Sequence, residues 1–116
     1  MGSGREAGSA EGALDEVSAI ADGVADAQRD VARKARRAAR QRRSGARWSE
    51  IVESGTVLSL LQTMGRSAAK ITSSAGALRV AVARGLASEG YSTRQIGERF
   101  GISHQRVSSL MSRAKR

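Results

Sequence analysis

The chain has 116 residues and a formal net charge of +9, from 20 lysines and arginines against 11 aspartates and glutamates. That length holds one small domain and an extension, and three aromatics (Trp48, Tyr91, Phe100) supply little for a large core. The absence of cysteine excludes disulfides and thiolate chemistry, a single histidine excludes a multi-histidine metal site within one chain, and no apolar run is long enough to read as a membrane span.

Proline is also absent, which permits long uninterrupted helices. A cationic excess of this size favours a polyanionic partner, and nucleic acid is the commonest one. Arginine outnumbers lysine 17 to 3, but a GC-rich genome explains that ratio as well as phosphate binding does.

Residues 1–12, "MGSGREAGSAEG", are acidic and rich in glycine and serine, and are expected to be disordered. They carry no apolar segment of the kind a secretory signal needs, so the expected location is the bacterial cytoplasm, at the nucleoid.

Residues 13–43 form an expected helical extension, alanine-rich and interrupted only by Gly23. Leu14, Val17, Ala21, Val24, Gln28, Val31, Ala35 and Ala38 alternate steps of three and four, a thin coiled-coil seam. Charge is blocked along this segment. Seven acids and two arginines occupy residues 1–32; residues 33–47 then carry eight bases and no acid. These are Arg33, Lys34, Arg36, Arg37, Arg40, Arg42, Arg43 and Arg47, candidate phosphate contacts. On a helix they point in nearly every direction, so they cannot all touch one duplex. Like charges at this density need neutralising, either by phosphates or by the chain's own acidic block in an antiparallel pair of copies. Asp22, Asp26 and Asp30 recur every four residues and read as a solvated face rather than a metal site.

"RSGAR" at 43–47 marks a break, and residues 47–116 are expected to form an all-α domain. A short helix, "WSEIVES", stops at Gly55, with Trp48, Ile51 and Val52 as core anchors. Thr56 is the expected cap of the next helix. There Val57, Leu61, Met64, Ala68, Ile71, Ala75, Leu78 and Val82 repeat the three-four rhythm, with a break expected in "TSSAGA" at 72–77. This seam reads equally as packing on its own domain or as a dimer interface.

The last stretch, "YSTRQIGERFGISHQRVSSLM", is the most specific. Ser92 and Gln95 form a capping-box pattern, so a helix starts at Thr93; Gly101 ends it after two turns, and Ser103 caps the next. Ile96, Phe100, Ile102, Val107 and Leu110 face inward, and Gly97 sits where the helices cross. His104, Gln105, Arg106, Ser109, Ser112 and Arg113 are left outside.

"STRQIGERFGISHQRVSSLM" resembles the helix-turn-helix of bacterial DNA-binding proteins, closest to region 4 of primary sigma factors and to small actinobacterial regulators. With "LRVAVARGLASEGY" as supporting helix, the resemblance covers residues 77–115, one third of the chain. It implies a helix-turn-helix at 93–115 whose second helix lies in the major groove. Ser103, His104, Gln105, Arg106 and Ser109 are then the base readers, with Thr93, Arg94, Arg113 and Lys115 near phosphates. Nothing corresponds to the rest of a sigma factor, so promoter-specific initiation is not implied.

The expected function is duplex DNA binding in transcriptional regulation, as a homodimer. The alternatives are an architectural nucleoid protein, and an adaptor that docks on RNA polymerase or a sigma factor. No cofactor or metal is expected, and His104 lacks a partner for acid–base catalysis, so no enzyme activity is expected.

Overall fold

In the computed structural model, which describes residues 11–114 with side chains through Ser112, the alanine-rich, proline-free sequence forms five α-helices and, among the described residues, no strand. They are α1 (Gly12–Arg43), α2 (Trp48–Glu53), α3 (Thr56–Ser88), α4 (Thr93–Phe100) and α5 (His104–Ala114). The protein is all-α. No described helix is long and apolar enough to cross a membrane. The expectation for residues 1–12 lies outside the described residues except for its last two, of which Gly12 opens α1.

Contacts divide the chain into two units, one of residues 18–72 and one of residues 11–17 with 73–114. Residues 47–72 group with the greater part of α1.

Within the 18–72 unit, α1 turns a different stripe inward from the expected one. Its less exposed positions include Ile20, Val24, Ala27, Val31, Lys34, Ala38 and Gln41, while Ala21, Gln28 and Ala35 face solvent. The three-four rhythm holds, but every second position shifts by one. Lys34 donates from Nζ to Ser59 Oγ at 2.7 Å, tying α1 to α3. In α2 only Ile51 is an anchor, at 1% exposure; Trp48 and Val52 are 58% and 53% exposed, contrary to their expected core role. The Arg42 guanidinium lies 5.2 Å over the Trp48 ring, covering part of it from the end of α1.

The junctions follow from backbone bonding. After α1, Gly45 and Ala46 N–H donate to the Arg42 and Gln41 carbonyls. Arg47 N–H donates to the Glu50 carboxylate at 2.8 Å, satisfying a free donor at the start of α2. For α3 the capping residue is Gly55, whose carbonyl accepts from Ser59 N–H at 2.9 Å, and Thr56 is the first helical residue instead.

The expected break at 72–77 does not occur; α3 is continuous through "TSSAGA". Gly76 costs about 1 kcal/mol relative to alanine, which the surrounding helical turns absorb. The expected seam of α3 is also turned outward in its first half: Leu61, Met64 and Ile71 are exposed, whereas Thr63 and Ser67 lie further in.

In the 73–114 unit the core is Ala83, Ile96 and Val107, with Leu86, Ala87, Tyr91, Phe100, Ile102 and Met111 packed on it. The end of α3 is closed by Gly90 N–H to the Ala87 carbonyl (3.0 Å) and Tyr91 N–H to the Leu86 carbonyl (3.1 Å). Leu86 and Tyr91 both join the core, the apolar contact that accompanies this type of helix stop. Arg99 stacks 4.6 Å over the Tyr91 ring, fastening α4 to that stop.

Candidate nucleic-acid interface

The helix pair α4–α5 is built from local chemistry. Ser92 Oγ accepts from Gln95 N–H at 3.1 Å while Gln95 Oε1 accepts from Ser92 N–H at 2.8 Å, a reciprocal cap that fixes the start of α4. Gly101, in the left-handed conformation at φ 71°, ends it. A side chain would be strained there, and glycine adopts that geometry freely. Ile102 N–H then reaches back to the Gly97 carbonyl at 2.9 Å, so the three-residue turn folds over Gly97. Gly97 is buried, and a Cβ there would meet the backbone of Ile102, Ser103 and His104, where the turn enters α5.

Ser103 caps α5, its Oγ accepting from Arg106 N–H at 3.1 Å. Ser103 is therefore committed to the scaffold, with its hydroxyl proton still available to a ligand. Val107, fully buried, and Met111 hold α5 down; Leu110, expected in that inner stripe, is half-buried.

The remaining expected readers are exposed but do not form one cluster. At about 100° per residue, Gln105, Arg106 and Ser109 fall within roughly 100° of arc opposite the Val107–Met111 side, whereas His104 falls about 20° from Met111 and is exposed as the first residue of α5. Ser112 shares the outward face with Gln105 and Ser109 and adds a hydroxyl. Thr93 and Arg94 are exposed in the first turn of α4. Arg113 continues α5, its side chain outside the description, and Lys115 lies outside the described residues. An arc of amide, guanidinium and hydroxyl groups on a rigid helix can donate to and accept from base edges and phosphates.

The basic run of the other unit divides more sharply than its sequence indicated. At about 100° per residue, Arg33, Arg36, Arg40 and Arg43 share one strip of α1 about 80° wide, with Arg37 beside it. Lys34 instead reaches Ser59 and Asp30, Arg42 covers Trp48, and Arg47 pairs with Glu50 at 3.4 Å. Asp30 accepts from both Lys34 and Arg33, at 3.0 Å each. The hydrogen bond from Lys34, and secondarily the charges of Lys34 and Arg33, hold its carboxyl below the ordinary carboxylate value. Asp26 pairs with Arg29. Among the described residues, Arg36, Arg37, Arg40 and Arg43 meet no carboxylate, and a shallow concavity of about 370 Å³ runs beside Arg33, Arg36, Arg37 and Arg40. Also among the described residues, no three His, Asp or Glu side chains are grouped to hold a metal ion.

Comparison with protein-family models, with curated proteins and with solved structures found no match to this chain.

Proposed function

We propose that this protein binds duplex DNA as a dimer at the bacterial nucleoid and regulates transcription, the pair α4–α5 acting as a helix-turn-helix. The supporting observation is the outward arc of Gln105, Arg106 and Ser109 on a helix whose opposite side is fixed by the fully buried Val107. In this reading α5 lies in the major groove, where Gln105 and Arg106 discriminate bases. Thr93 and Arg94 lie near the phosphates. The resemblance of "STRQIGERFGISHQRVSSLM" to bacterial helix-turn-helix sequences supports the same reading.

The arginine strip of α1 favours a second reading, an architectural protein that coats DNA with little sequence preference. Four guanidinium groups in line are a phosphate-tracking feature with no means of telling bases apart. Selecting a preferred duplex from a random pool, then measuring its affinity against random duplex at one salt concentration, separates the two. A regulator reaches a ratio of at least about 10³. A ratio near one assigns the architectural role, and no affinity for any duplex ends both.

A further inference from the structure

The first half of α3 carries a large apolar face that its own unit does not cover. Leu58, Leu61 and Met64 are 57%, 56% and 44% exposed, and Ala68 between them and Ile71 is exposed too. At about 100° per residue, Leu58, Met64, Gly65, Ala68 and Ile71 all fall within about 80° of Leu61. The two cations of this stretch, Arg66 and Lys70, project about 140° and 180° away from Leu61. An uncharged face with its cations on the far side fits neither a polyanion nor an acidic peptide. It fits a surface as apolar as itself.

We propose that this surface is a second copy of the chain, two α3 helices pairing antiparallel about a twofold axis between Met64 and Gly65. A twofold interface requires one patch to complement itself, and this one does so in one register. Leu61 then faces Ala68 of the partner subunit, Met64 faces Gly65 of the partner subunit, and Leu58 faces Ile71 of the partner subunit. Large side chains meet small ones at the two central pairs, and two branched aliphatic side chains meet at each end. A Cβ added at Gly65 would meet nothing within 4 Å in its own chain, so the space that glycine leaves is open to the incoming Met64. Parallel pairing would instead set Met64 against Met64 and glycine against glycine, and would align the helix dipoles unfavourably. Arg66 and Lys70 stay off the seam, so two copies meet without like-charge repulsion. The face is about 20 Å long. It is small beside the roughly 800 Å² per partner of a standard stable interface, so the pair is concentration-dependent.

This inference names the dimer contact that the DNA reading needs, and its test contains no DNA, so either can fail alone. Sedimentation of the full chain should show a mass rising from near 12.2 kDa towards twice that between roughly 1 and 100 µM. Leu61→Gln combined with Met64→Gln should hold the mass at the monomer value with unchanged helicity by circular dichroism. The chain has no cysteine, so single cysteines report the register. Met64→Cys should cross-link with itself. Leu58→Cys and Ile71→Cys should not cross-link alone, their partners being about 20 Å away, but should cross-link when mixed. A monomer at every concentration overturns the proposal, as does self-cross-linking of both end variants or a dimer that survives the double glutamine change.

Discussion

A Cβ built on Gly97 would lie 2.6 Å from the carbonyl oxygen of Ile102. The obstacle is backbone, and the same turn is pinned from the other side by the Ile102 N–H bond to the Gly97 carbonyl. Neither partner can retreat without opening the joint between α4 and α5.

Gly97→Ala should therefore destabilise the protein by about 1–3 kcal/mol, the usual cost of forcing an atom into a filled space. Gly76→Ala is the control of opposite sign: it sits mid-helix with nothing within 4 Å. It should stabilise by roughly 0.5–1 kcal/mol through helix propensity. Urea denaturation followed by circular dichroism reads both, and equal shifts would mean that the tight joint is wrong.

Ser92→Ala removes the acceptor for Gln95 N–H and should cost about 1 kcal/mol, whereas Ser92→Gly should cost only a few tenths. Amide hydrogen exchange should show the loss concentrated in the first turn of α4, at Gln95 and its neighbours. Uniform loss across the chain would contradict a local cap.

On DNA, Arg106→Ala should weaken the preferred duplex by about 1–3 kcal/mol and flatten the preference. Arg36→Ala with Arg40→Ala should weaken all duplexes alike. It should also lower the slope of log affinity against log salt by roughly 1.8, about 0.9 per lost phosphate contact. Identical, sequence-independent losses from both changes would abolish the distinction between a reading helix and a tracking helix.

Asp30 gives a pH prediction. Its carboxyl is held below its ordinary value in the folded chain, so the folded state binds a proton less readily than the unfolded one. The stabilisation is present above the unfolded value of about 3.9 and is lost as pH falls below it. Thermal midpoints of the protein and its Asp30→Asn variant should differ at neutral pH and converge as pH drops below about 4. The gap should be small, since the side chain is 37% exposed and solvent screens it. A gap that widened on acidification would reverse the assigned direction.

Residues 92–112 were the most legible part of the chain because their signals are local. Ser92, Gln95, Gly101 and Ser103 act on backbone groups three or four positions away, and no distant contact competes with them. The phase of α1 was not legible. With alanine at 19, 21, 25, 27, 32, 35, 38 and 39, several stripes look equally apolar, and only packing selects the one through Ile20, Ala27 and Val31. The continuity of α3 was missed for a related reason: a serine- and glycine-bearing stretch weakens a helix but does not end it without a stop such as the one at Gly90. The size of Trp48 suggests burial, but the residue is 58% exposed and its ring only partly covered by the Arg42 guanidinium.

The outer side chains of α5 hold nothing together. Val107 and Met111 secure that helix from beneath, and its start is set by a serine hydroxyl and a glycine under the turn. In the proposed reading, the groups at 104, 105, 106 and 109 can be exchanged in a fixed frame, so that the preferred duplex changes while the fold does not.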